Sequence, residues 1–228
     1  MLSHVHDQLP ALFALAHDRS EAGRLHLASK LADLFLTDNI ALNSREEQML
    51  NELIELLLQV NSPTIRKELM QRFADAARMP RKMALSLINE PITTARAVLL
   101  SNEALTDDDL ISVITTQSRD HASVIAARRA ISEAVADALV TTGDLTVMQI
   151  VAENLGAKLS DKALTILSEA ACLTESLQQA VLYRPELRTE IATKLYWWLA
   201  SDLRRYAMER FGITVSQLQS LQEFRIRS

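Results

Sequence analysis

The chain has 228 residues but only 4 glycines and 5 prolines, too little of the punctuation that hairpins and β-turns require, so an all-α fold is expected. Its net charge of −5 is distributed as 16 acids and 11 bases in residues 1–117 and 13 of each thereafter, so neither half offers the basic surface that gains from releasing phosphate counterions. One cysteine, Cys172, excludes an internal disulfide; the longest run free of Asp, Glu, Lys and Arg is 12 residues, Phe211 to Gln222, short of the ~20 that cross a bilayer; and the N-terminus lacks the basic stretch of a secretory signal, which together predict a cytoplasmic protein.

The first elements in chain order are three long helices, at about 7–17, 20–37 and 44–60. Ser44 with Glu47 makes a capping box for the third, and Asn61-Ser62-Pro63 ends it. From there an internal period emerges. Steps from an apolar residue into a helix-opening position occur at Met79-Pro80, Leu105-Thr106, Ile131-Ser132, Leu159-Ser160 and Leu187-Arg188, spaced by 26, 26, 28 and 28 residues. Downstream of each step two columns stay apolar: Ala84, Leu110, Ala136, Leu164 and Ala192, then Leu87, Val113, Leu139, Leu167 and Leu195. The columns lie three residues apart, on one face of a helix.

Upstream of each step a shorter i, i+4 pattern recurs: Leu69 with Phe73, Ala95 with Leu99, His121 with Ile125, Val147 with Val151, and Leu177 with Val181. Each unit is therefore two short helices and a tight turn. An isolated helix of about ten residues is marginal in water, so the units are expected to stack into an α-α superhelix, a HEAT-like helical-repeat solenoid. A fixed period of this length is the sequence mark of such arrays.

The stretch "LTDDDL" at 105–110 belongs to this scheme. Thr106 stands at the N-cap column with Asp109 three residues on, a capping box, while Asp107 and Asp108 face the positive end of the helix dipole. Asp109 occupies a column that is Met83, Val135, Ala163 and Ile191 elsewhere, so its carboxylate is expected to be partly shielded. Ser132-Glu133 and Ser160-Asp161 repeat the cap. At the far end, residues 188–211 are expected to form one capping helix, closed by Gly212 and followed by a tail helix at about 214–224. The chain thus divides into N-terminal capping helices (1–60), two-helix repeats (61–187) and a C-terminal cap (188–228), as one domain over 1–228.

The residues His121, Ile125-Ala126, Arg128, Gly143-Asp144, Asn154, Gly156-Ala157 and Ser160 resemble the signature of an alphaproteobacterial domain-of-unknown-function family built from HEAT-like helical repeats. The resemblance implies an α-α superhelix across most of the chain and carries no catalytic residues with it. Members are often longer, which implies that this chain is a shortened form.

Few residues suggest chemistry. His121 replaces an apolar residue in a core column and needs a partner for its ring; either it is an interior histidine with a hydrogen bond, or it forms with Arg128 a proton-switchable or anion-binding pair. Arg128-Arg129 and Arg204-Arg205 are solvated charges or contacts for an acidic partner segment. His4, His6, His17 and His26 are irregularly spaced and lack a cysteine or carboxylate to complete a metal set. Cys172, in "SEAACLTES", has no base beside it and is expected to be a small core residue. Gly143 and Gly156 fit helix ends rather than a phosphate loop.

In the last long helix Ile191, Leu195, Trp198, Leu199, Leu203 and Tyr206 form one stripe, while Trp197, Ala200, Met208 and Phe211 lie along another side. That second side is covered by Leu218, Leu221 and Phe224 of the tail helix, or it serves a homodimer or another protein. The expectation is a non-enzymatic protein-protein interaction scaffold, regulatory in role. Its candidate partner-binding residues are His121, Arg128, Arg129, Trp197, Met208 and Phe211, and it uses no catalytic residue, metal or cofactor and contacts neither nucleic acid nor membrane. The alternatives are an enzyme or ligand-binding regulator using His121 and Arg128 or the Asp107–Asp109 cluster, and a helical-repeat nucleic-acid binder, which would need a continuous basic groove.

Overall fold

The structure, a computed structural model, describes residues 4–18, 20–36, 43–58, 64–65, 79–214 and 218. Among these it is all-helical, with thirteen α-helices and no strand. The chain forms two compact units, Met1–Val113 and Ile114–Ser228. Among the described residues no helix is long and apolar enough to cross a membrane. The pattern at Leu69 and Phe73, the break at 61–63 and all but Thr214 and Leu218 of the expected tail helix lie outside the described residues.

In the first unit α1 (His4–Ala16) packs on α2 (Glu21–Leu36) and α3 (Ser44–Leu58), and α3 meets α4 (Arg81–Leu87). The cap of α3 differs by one residue from the expected Ser44–Glu47 box. Asn43 Oδ1 accepts from the backbone N–H of Arg45 and Glu46 at 3.1 and 3.0 Å, and Asn43 N–H donates to Glu46 Oε2 at 3.0 Å. Asparagine caps as well as serine, and here the carboxylate that reciprocates is buried Glu46. Next come α5 (Ile92–Ser101) and α6 (Asp107–Thr116), which continues past the boundary between the units.

The aspartate run opens α6 as a helix start. Thr106 N–H and Oγ1 both donate to Asp109 Oδ2, at 2.9 and 2.8 Å, and Asp109 N–H returns a weaker bond to Thr106 Oγ1 at 3.3 Å. Arg81 then grips the same carboxylate with two parallel bonds of 2.9 and 2.8 Å, the fork geometry that makes arginine the best carboxylate partner. The Asp109 side chain is only 11% exposed, which accounts for a carboxylate in an apolar column. Arg81 holds the Asp109 carboxyl down to about 2.

The second unit alternates two kinds of helix: α7 (Arg119–Ala126), α8 (Glu133–Thr141), α9 (Leu145–Glu153), α10 (Asp161–Leu173), α11 (Glu175–Leu182), α12 (Thr189–Leu195) and α13 (Ser201–Phe211). One layer stacks α7, α9, α11 and α13 in succession, and the other stacks α8, α10 and α12. All ten residues of the two downstream columns are buried, as are the described residues of the i, i+4 pairs. Ser132, Asp144 and Ser160 cap α8, α9 and α10 through their side-chain oxygens, satisfying N–H groups that the first turn leaves orphaned.

Polar side chains tie the first layer together in a way the hydrophobic columns do not suggest. Asn154 Nδ2 donates to the carbonyls of Ala126 and Arg128 at 2.8 and 2.7 Å. Arg184 Nη1 and Nη2 donate to the carbonyls of Asn154 and Ala157, both at 2.6 Å. Arg210 donates to the carbonyls of Leu182 and Arg184 at 2.9 and 2.8 Å. Each of these side chains therefore reaches back to the C-terminal end of the preceding helix in its layer, where carbonyls lack intrahelical partners and positive charge is favoured. Arg184 is fully buried, at 0% exposure. In the first unit Asn102 Nδ2 donates to the carbonyl of Met79, just ahead of α4, at 3.0 Å.

The expected continuous helix over 188–211 is interrupted. After α12 a 3₁₀ turn, Tyr196–Trp198, leads into Leu199 and Ala200 with ψ of 146° and 159°, and α13 starts at Ser201. No glycine or proline forces this. The carbonyls released by the break are captured instead: Gln178 Nε2, from buried Gln178, donates to Trp198 O at 2.9 Å, and Arg204 Nη2 donates to Trp197 O at 3.1 Å. Gly212 closes α13 at φ 62°, the left-handed conformation for which glycine is best suited.

Candidate functional site

The break that ends α12 also shapes a hollow of about 330 Å³ in the second unit. One wall is α10, through Thr165, Ser168, Glu169 and Cys172. The opposite wall is α12 and the 3₁₀ turn, where Ile191 and Leu195 are joined by the indoles of Trp197 and Trp198. The 3₁₀ turn takes both tryptophans out of the α-helical phase that would have placed Trp198 in the core stripe. Trp198 is 40% exposed, while Leu199 takes the buried place. Ser168 uses its hydroxyl on the Leu164 carbonyl at 2.6 Å, so it offers the hollow little polarity. The lining is aromatic and aliphatic, with polar groups few and peripheral, the character of a site that takes apolar groups.

The charged side chains at the hollow are Glu169, on the α10 wall, and Lys194, on the α12 wall. Cys172 lines it as well. Burial pushes the Cys172 thiol above its ordinary value, and the negative charge of Glu169 adds to the shift, so the group is a poor nucleophile at neutral pH. Leu173, the next residue, is 89% exposed.

The other sequence candidates are placed elsewhere. His121 is buried at 4% exposure, and its Nδ1 lies 2.8 Å from Ser118 Oγ, a hydrogen bond whose direction follows the ring tautomer. Arg128 is half-buried and engaged by protein groups, and it stands 26 residues from both Asn102 and Asn154. Arg129 is exposed, and its carbonyl lies against Gly156. None of the three lines the hollow.

Met208 and Phe211 are half-buried on α13 and do not line it either. Tyr196 O–H donates to Met208 Sδ at 3.6 Å, and the Arg210 guanidinium sits 5.0 Å over the Phe211 ring. The stripe Trp197, Ala200, Met208, Phe211 does not exist as one face, because the extended residues at 199 and 200 reset the helical phase. Among the described residues no three His, Cys, Asp or Glu side chains gather as a metal site would need. The imidazole of His17 lies 2.7 Å from the Phe13 carbonyl, and the side chains of His4 and His6 lie outside the described residues.

The hollow was not legible as such, because its tryptophan wall depends on the helix break. The only signal was the adjacency of Trp197 and Trp198, two aromatic residues that one helix face cannot both bury. No curated protein and no solved structure matches the chain. A family model described as an uncharacterised protein conserved in bacteria (DUF2336) matches residues 94–224, more than half of the chain and a span that includes every residue of the hollow. The chain therefore belongs to this bacterial family, DUF2336.

Proposed function

We propose that the chain is a non-catalytic, regulatory scaffold that acts in the cytoplasm by binding another protein. The proposed architecture is a HEAT-like α-α superhelix continuing through residues 1–228, whose stacked layers present outward-facing groups for docking. The alternating layers of the second unit and the side chains that bridge successive helix ends support this reading, since both are contacts between neighbours in the chain, as a repeat array demands.

The observation that carries the reading is the hollow of about 330 Å³ walled by Trp197 and Trp198. Large rigid aromatics at a water-excluding concavity dominate binding energies, each costing ~2 kcal/mol or more on truncation. A docked apolar side chain would cover Ile191, Leu195 and both indoles.

The test is affinity capture from bacterial cells with tagged wild type and Trp197→Ala, quantified by mass spectrometry, with circular dichroism to confirm that the variant is folded. A protein recovered by wild type and lost by the folded variant supports docking at the hollow. Identical recoveries would remove the hollow from the proposal.

A further inference from the structure

The C-terminal end of α11 and the last turns of α13 build a second cluster. Arg210 is exposed, yet it is held firmly: Nη1 donates to Leu182 O and to Tyr206 Oη, each at 2.9 Å, and Nη2 donates to Arg184 O at 2.8 Å. Its guanidinium lies 5.8 Å from the centre of the Tyr206 ring and 5.0 Å from that of Phe211, within cation–π reach. Tyr206 in turn packs against Tyr183, ring centroids 4.5 Å apart, and Tyr183 is 45% exposed. None of these residues lines the hollow.

A guanidinium carries five N–H donors. Three of Arg210's are used, and among the described residues nothing accepts from the other two, Nε–H and one on Nη2. Arg81 uses the same two nitrogens, Nε and Nη2, to hold the Asp109 carboxylate at 2.9 and 2.8 Å. Three bonds and two rings already fix the Arg210 group, so an anion bound there incurs little of the ordering cost of a free surface arginine.

One fixed positive charge with two spare donors matches one planar carboxylate. Glu209 precedes Arg210 on α13, and the chain carries a net −5, both unfavourable to a polyanion. The rings of Tyr183, Tyr206 and Phe211 add apolar surface beside the charge, which suits an acid with an apolar neighbour better than a bare ion.

We propose that this cluster is a second docking point, where Arg210 receives an aspartate or glutamate side chain of a partner protein through Nε and Nη2, and an apolar residue next to that acid lies on Tyr183. Phe211, expected from the sequence to contact a partner, steadies the guanidinium. The site goes beyond the hollow and does not depend on it.

The test is proton–nitrogen NMR of the intact chain, read at the Arg210 Nε–H signal. The peptides acetyl-Leu-Glu-Leu-amide and acetyl-Leu-Gln-Leu-amide are titrated at constant ionic strength to roughly 20 mM, a range that brackets millimolar affinity. The Glu peptide moves the signal saturably and binds about tenfold or more tighter than the Gln peptide. Arg210→Lys, shown folded by circular dichroism and read at the Tyr206 ring, weakens the Glu peptide about tenfold or more, because lysine keeps the charge without the fork. Tyr183 makes none of the side-chain bonds to carbonyls, so Tyr183→Ala is the second variant; it weakens the Glu peptide about threefold or more and leaves acetate unchanged. No saturable response to the Glu peptide overturns the proposal, as do equal affinities for the two peptides or binding that survives either variant. Acetate as tight as the Glu peptide overturns the partner segment in favour of a free carboxylate, and phenyl phosphate tighter than the Glu peptide overturns it in favour of a phosphate.

Discussion

Arg184→Ala should be among the most damaging single changes in the second unit. The side chain is fully buried, and its guanidinium donates 2.6 Å bonds to the carbonyls of Asn154 and Ala157 and to Glu186 Oε1. A hydrogen bond from a charged donor is worth about 1.5–3 kcal/mol, and a carbonyl left buried without a partner costs about 1–3 kcal/mol. Counting the two carbonyl bonds alone, the loss is about 3–6 kcal/mol, comparable to the whole margin of a modest domain. Arg184→Lys keeps the charge but not the fork that spans two carbonyls, so it should lose about half as much.

Both tryptophans of the chain lie in the second unit, so urea unfolding followed by tryptophan emission reads that unit. Arg205→Ala is the control, because Arg205 is exposed and among the described residues is paired only with Asp202, at 3.6 Å; it should change stability by no more than ~0.5 kcal/mol. A loss below about 1 kcal/mol for Arg184→Ala would refute the view that these side chains hold the layer together.

Three further outcomes follow from local geometry. Gly156→Ala would set a Cβ 1.9 Å from the Arg129 carbonyl oxygen, whereas Gly212→Ala meets nothing within 4 Å and pays only for φ 62°; thermal unfolding should show roughly 2 kcal/mol or more for the first and about 1 kcal/mol for the second. Asp109, at about 2 in the folded state against an ordinary 3.8, binds its proton less readily when folded, so it stabilises above the ordinary value and loses that contribution as pH falls from about 4 to about 2. Asp109→Asn should cost ~1 kcal/mol at pH 7, after allowing for the half-exposed Arg81, and nothing below pH ~2, by circular dichroism melts. Cys172 should react with iodoacetamide more slowly than a free thiol at pH 8 and faster in Glu169→Gln, because burial and Glu169 both raise its thiol; equal rates in the two proteins would exclude the charge effect.

Much of the helical order was legible because its causes are local. Serine at 132 and 160 and threonine at 106 announce helix starts through bonds made within three residues, and the apolar columns report burial directly. The break after Trp198 was not legible, since every residue from Thr189 to Phe211 is compatible with a helix. It is stabilised by Gln178 and Arg204, the first of which is 20 residues away in the chain. The bridging side chains were hidden for another reason: Asn154 differs in size and charge from Arg184 and Arg210 while performing the same task. His121 was correctly placed in a core column, with Ser118 as the ring partner its burial required.

The central claim, that the chain works by docking protein at the tryptophan-walled hollow, is tested most directly by hydrogen–deuterium exchange on the assembly recovered from cells against the isolated chain at low concentration. The account predicts that 161–173 and 189–198 gain more protection than any other part of the second unit. Protection gained elsewhere in that unit, with these two segments exchanging as they do in the isolated chain, would contradict it.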